Sequence, residues 1–130
     1  ISGYFALANG CRAAGAQRVN SAGSPVCTKL SYIIYSTAIC FMDGHGIPAS
    51  ICLWAPGSVP IAPNETVTYV VGKAFFPKRS LPNKPLGTAL INVISFHIFP
   101  GNPTSMHYNN TLPHVPYCTV FAIGNVCKDP

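Results

Sequence analysis

Apolar and β-branched residues gather into six runs along this chain, each closed by Gly, Pro, Asn or Asp. Such runs, rich in Val, Ile, Phe and Tyr, predict strands. They are Gly3–Ala8, Lys29–Met42, Ile47–Trp54, Val67–Phe76, Ala89–Phe99 and Tyr117–Ile123. In the longest, Leu30, Tyr32 and Ile34 alternate with Ser31, Ile33 and Tyr35, so both faces are partly apolar. That pattern suits a curved barrel strand with one face in the core and the other offered to a ligand or a subunit. Gly72 interrupts the fourth run and predicts a bulge or sharp bend. Pro48 is compatible with the third only near its beginning or on an edge.

The connections complete the outline. Asn9-Gly10 and Asp43-Gly44-His45-Gly46 read as turns, and the second makes a hairpin of runs two and three. Cys11–Thr28 reads as a long loop or loose hairpin, Ala55–Asn64 holds three prolines, Pro77–Gly87 is polar and basic, and Pro100–Pro116 reads as loop. No amphipathic helix, heptad or internal repeat is visible. The expectation is one all-β domain spanning 1–130, a closed barrel of five to six strands with long proline-rich loops.

Composition narrows the function classes. Hydrophobic residues make up 48% of the chain, which argues against disorder. Charged residues are only 8%, far below the usual quarter. With so little charge and exposed sheet edges, a homo-oligomer is expected. Eight Lys and Arg against three acids, Asp43, Glu65 and Asp129, give a net charge of +5, which favours a polyanionic partner. No run is long and apolar enough for a membrane span, and no membrane partner is expected.

The six cysteines form no CxxC, so zinc-ribbon and thioredoxin spacings are absent. Cys40 and Cys52 lie in apolar runs and read as buried thiols. Cys11 with Cys27, and Cys118 with Cys127, are the bridges to expect in an oxidising compartment. Free thiols would point to a nuclear or cytoplasmic protein, disulfides to a secreted one. Neither cofactor nor metal is expected, since Asp43 and His45 in one turn are too few ligands.

The order of the runs resembles the OB-fold domains of single-stranded-DNA-binding proteins and replication protein A. The likeness rests on Ala8-Asn9-Gly10-Cys11-Arg12 after the first strand and on Ile51-Cys52-Leu53-Trp54, a third strand ending on an aromatic. It continues with Tyr69–Ala74 (YVVGKA) and a last strand that follows a basic loop. The segments GKAFFP, ISFHIFPGNP and VFAIGNV also resemble small proteins of mushroom-forming fungi. The OB pattern covers roughly residues 3–100. The chain departs from it in lacking a helix between strands three and four and in its low charge.

That resemblance implies binding of single-stranded DNA or RNA with little sequence preference. Such binding needs cations along the phosphates and aromatic faces under the bases. An OB fold takes its ligand across strands two and three, between the first-hairpin loop and the strand four–five loop. Arg12, Arg18 and Lys29 fall in and after the first loop, Lys78, Arg79 and Lys84 in the last, and Lys73 in strand four. Candidate stacking residues are Trp54, Phe41 and either Tyr35 or Tyr32, since those two tyrosines have opposite strand parity.

Two other classes compete, and no catalytic residue is assigned. A small metal-independent ribonuclease would draw its acid–base pair from His97 in its strand and His107 and His114 in the following loop. A secreted sugar-binding or defence protein would suit the sequons Asn64-Glu65-Thr66 and Asn109-Asn110-Thr111, the even cysteine count and a chain opening at Ile1 without Met. Salt dependence separates sugar from nucleic acid, because phosphate contacts weaken steeply with salt.

Overall fold

A computed structural model describes residues 1–13, 21–23, 31–77, 87–114 and 117–123. It is mostly β. The strands are β1 (Ser2–Ala6), β2 (Ala8–Ala13), β3 (Tyr32–Cys40), β4 (Gly46–Trp54), β5 (Val67–Phe75) and β6 (Ala89–Ile98). They form one mixed sheet in the order β1-β5-β6-β4-β3-β2, antiparallel throughout except where β4 runs parallel to β6.

The sheet curls into a half-barrel because its two edges belong to one stretch of chain. β1 and β2 are separated by Leu7 alone, yet β1 pairs with β5 and β2 with β3. Asn9 permits the bend. It adopts φ 51°, a conformation that asparagine tolerates better than most residues, and the register slips between Ala8 and Cys11. The Asn64 side-chain oxygen accepts the Asn9 N–H at 2.9 Å and fixes the kink. The expected turn signal at Asn9-Gly10 therefore marks a bend within a strand, and β2 lies where a loop was expected.

The expected closed barrel is not formed. Along the seam between β1 and β3 the Thr37 hydroxyl donates to the Ala6 carbonyl at 2.8 Å. Further along, the outer edge of β1 is taken by Thr119, which exchanges two backbone hydrogen bonds with Ser2 at 2.9 and 2.8 Å. The sixth expected strand is reduced to this isolated bridge. Long proline-rich loops do not describe the connections either. β3 and β4 are joined by residues 41–45, and the expected loop 100–116 carries a short helix, α1 (Met106–Thr111). Tyr108 docks that helix. Its hydroxyl accepts the Val67 N–H at 3.0 Å and donates to the Phe99 carbonyl, while its ring meets Phe99 edge-on at 5.8 Å.

The core fills the concave face. Ile33, Tyr35 and Ile39 of β3 meet Ile47, Ala49 and Ile51 of β4, Val70 of β5, Ala89 and Ile91 of β6, and Phe5 and Leu7. Each large side chain buried here contributes about 1.5–3 kcal/mol. The buried hydroxyls are satisfied: Thr68 donates to the His97 carbonyl and Thr66 to Pro63. The bulge foreseen at Gly72 is present as a register shift between Val71 and Gly72. A Cβ on Gly72 would lie 2.6 Å from the Asn92 carbonyl oxygen, so the close strand approach excludes any side chain. Pro48 sits in β4 ahead of Ala49, where pairing with β6 begins, so its missing N–H falls on an edge.

Candidate nucleic-acid interface

The hairpin of β3 and β4 sorts its side chains by parity. Ile33, Tyr35 and Ile39 point into the core, while Tyr32, Ile34 and Ser36 point out. The register pairs Tyr32 with Trp54, Ile34 with Cys52 and Ser36 with Ser50. Continuing the middle row across β6 and β5 brings Cys52 beside Asn92, and Asn92 beside Lys73. On the other side Ile34 pairs with Cys11 of β2. The next row holds Ser50, Leu90 and Phe75. This outward face therefore carries two aromatics in register at one end, a cation and an amide in the middle, and apolar groups at the other end.

Trp54 is 64% exposed. Its backbone is held, because the Ala55 N–H donates to the Ser31 carbonyl at 2.8 Å and carries the ladder one residue further. Directly opposed residues place their Cβ atoms about 5 Å apart, so Tyr32 and Trp54 form one aromatic ledge. Lys73 is exposed, with its ammonium 5.3 Å from the Phe75 ring centre. Burial pushes the Cys52 thiol pKa up from its ordinary value.

Two expected site residues have other work. Tyr35 is 1% exposed and stacks on Phe96 inside the half-barrel, at 6.2 Å between ring centres. Its hydroxyl accepts the Ala62 N–H at 3.0 Å. It cannot reach a ligand, because strand parity turns it inward and the 55–62 segment covers it. Arg12 also points inward, in register with Ile33. Its guanidinium donates to the Ala55 carbonyl at 2.9 Å and to the Val59 carbonyl. It thus clamps the segment that follows Trp54. Phe41 lies in the β3–β4 turn at the far end, away from the ledge. Arg18, Lys29, Lys78, Arg79 and Lys84 fall outside the described residues. Their segments begin and end at Ala13 and Ser31, beside the ledge, and at Pro77 and Gly87, beyond Phe75 and Leu90.

The thiols also differ from expectation. Cys40 is exposed and Cys52 half-buried, because both sit on the outward parity. Cys11, Cys40, Cys52 and Cys118 are free, while Cys27 and Cys127 fall outside the described residues.

A second outward cluster was not foreseen. Tyr4 of β1, Tyr69 of β5 and His97 of β6 form one row across three strands. The two tyrosine rings are 5.0 Å apart and tilted by 60°, and the Ser95 hydroxyl lies 2.9 Å from His97 Nε2. Registering the runs against each other would have found it, but strand order was needed first. His45 pairs with Asp43 at 3.2 Å in the exposed turn, and His107 lies on α1. Among the described residues no group of three or more His, Cys, Asp or Glu is placed to hold a metal. No family model matches the chain, and neither does any curated protein or solved structure.

Proposed function

We propose that this protein binds single-stranded nucleic acid on the outward face of β3 and β4, with bases stacking on Trp54 and Tyr32. The observation that carries the reading is the exposed tryptophan held in register with a tyrosine on a fixed hairpin. Stacking on an aromatic side chain is worth about 1–3 kcal/mol per base and tolerates any sequence. Lys73 and Asn92 extend the face with a cation and hydrogen-bonding groups. The two segments that leave its ends carry five of the eight Lys and Arg residues, Arg18, Lys29, Lys78, Arg79 and Lys84.

Strand connectivity supports an OB-like reading of the fold. Taken as one bent strand, β1 and β2 reduce the sheet to five strands. The third and fifth of these run parallel, and the first touches both ends of the order. In a partly open barrel of that kind the ligand crosses strands two and three, which are β3 and β4 here. The test is retention on immobilised oligo-dT and oligo-rU at rising salt. Retention that falls steeply with salt supports the reading, and flow-through at low salt defeats it. Loss of the oligo-rU would favour a ribonuclease.

One observation favours a second reading. The Tyr4–Tyr69–His97 row, with Ser95, is aromatic, polar and without a charged side chain in its register, which suits a sugar ring. Affinity for an oligosaccharide that is indifferent to salt, and lost on Tyr69→Ala, would select it.

A further inference from the structure

The open side of the half-barrel is the seam between β1 and β3. On that edge of β3 the described ladder to β2 stops at Ser36. Chain directions around the sheet make β1 antiparallel to β3, and the Thr37 hydroxyl meets the Ala6 carbonyl across the seam. Counting from that contact, forward along β3 and back along β1, sets Cys40 level with Gly3.

The chain at 118–119 occupies the same seam. Ser2 and Ala6 share parity in β1, so their backbone polar groups point to the same edge. There Ser2 exchanges two hydrogen bonds with Thr119, at 2.9 and 2.8 Å. The antiparallel bridge sets Cys118 opposite Gly3. The approach is close: a Cβ on Gly3 would lie 2.9 Å from the Cys118 Cβ, so a side chain there would push Cys118 off β1. Cys118 thus stands with Gly3 on one side and the end of β3 on the other. The two thiols bear on each other. Burial pushes the Cys118 pKa up, a backbone hydrogen bond and the Ile1 ammonium pull it down, and charge on Cys40 raises it again.

The other two described thiols are differently placed. Cys11 and Cys52 pair with Ile34 from its two sides, about 10 Å apart at twice the strand spacing. A disulfide spans only about 4.4–6.8 Å between Cα atoms. We propose that Cys40 and Cys118 form a disulfide on oxidation, a clasp that ties β3 to the seam and shuts the open side of the half-barrel. Both are thiols in this structure, Cys40 exposed and Cys118 half-buried. The oxidant is a small disulfide such as oxidised glutathione. The exposed Cys40 thiolate attacks one of its sulfurs and releases one glutathione thiolate. Cys118 then loses its proton, attacks Cys40 Sγ in the mixed disulfide and releases the second glutathione. Two protein thiols are oxidised, one small disulfide is reduced to two thiols, and the protons lost by the protein are taken up by the leaving thiolates. The bridge encloses β4, β5 and β6 in one loop, which constrains the unfolded chain and stabilises the fold.

In the test, the full chain is reduced, then exposed to glutathione disulfide, and its linked peptides are mapped by mass spectrometry. We expect a peptide pair joining Cys40 to Cys118. Oxidation should raise the melting temperature by roughly 5–15 °C. Cys40→Ser should remove most of that rise and leave the reduced protein's melting temperature unchanged, since Cys40 is exposed. Cys127→Ser, which removes the partner that the sequence suggests for Cys118, should keep the rise. Linkage of Cys118 to Cys127, a covalent dimer through Cys40, or alkylation of both Cys40 and Cys118 after oxidation overturns the inference. So does a rise that Cys40→Ser retains in full. Neither readout depends on nucleic-acid binding, which uses the other end of β3, where Tyr32 faces Trp54.

Discussion

The two sides of the β3–β4 hairpin each present a tyrosine of β3 and do opposite things with it. Inside, Tyr35 stacks on Phe96 and its hydroxyl is capped by Ala62. Outside, Tyr32 stands opposite Trp54 with solvent beyond. A tyrosine and an isoleucine on one strand do not distinguish them, since β3 supplies both to each side, although the inward side holds four isoleucines in all and the outward side only Ile34. Strand parity does, and a displacement of one residue would exchange core and site. The consequence is a clean division: inward substitutions should act on stability, and outward ones on binding.

The largest effect should come from Tyr35→Ala. Removing a fully buried aromatic costs about 3–5 kcal/mol, read as a large fall in melting temperature. Oligonucleotide affinity per folded molecule should stay within a factor of about two, because the ring touches no ligand. A normal melting temperature would place Tyr35 outside the core.

Trp54→Ala should do the reverse. Loss of one stacked base weakens oligo-dT binding about 5- to 150-fold, at 1–3 kcal/mol per base. Stability should shift by less than about 0.5 kcal/mol, as for an exposed position. Equal affinity for wild type and variant, measured by anisotropy of a labelled strand, would remove the ledge from the account.

Arg12→Ala lies between the two. It removes hydrogen bonds from a charged donor to the carbonyls of Ala55 and Val59, worth about 1.5–3 kcal/mol in stability. Affinity should fall only through the loosened backbone after Trp54. Arg12→Lys should rescue stability poorly, because an ammonium lacks the guanidinium's fork. If Arg12 instead contacted phosphate, affinity would fall, the salt slope would become shallower, and stability would hold.

The smallest effect concerns Cys52 on the outward face. Burial raises its thiol pKa, so less thiolate exists at a given pH and alkylation is slowed. We predict that labelling of Cys52 accelerates as pH rises past the ordinary thiol range, and that bound oligo-dT slows it further. Labelling that ignores the oligonucleotide would put the strand elsewhere.

Much of this division could be read from the chain. The β-type runs, the Gly72 irregularity and the place of Pro48 follow from residue chemistry that acts locally. β2 could not be read, because Asn9-Gly10 carries the signature of a turn while the partner that keeps the chain in the sheet, β3, lies some twenty residues on. α1 was hidden for a similar reason: six residues make no periodic pattern, and Tyr108 anchors them through Val67, far away in sequence. The choice between Tyr32 and Tyr35 was within reach. A hairpin centred on Asp43 sets residue 32 opposite residue 54, so the exposed partner of Trp54 follows from the turn alone. Arg12 misled because a cation near a loop fits a phosphate contact as well as a carbonyl clamp, and only the fold brings Ala55 and Val59 to it.

The most direct test of the outward face uses the single tryptophan of the chain. Trp54 fluorescence is titrated with unlabelled oligo-dT at low and at moderate salt. The account predicts saturable quenching whose midpoint moves steeply to higher concentration with salt. Because Trp54 is 64% exposed, an emission unchanged by saturating strand would contradict the central claim outright.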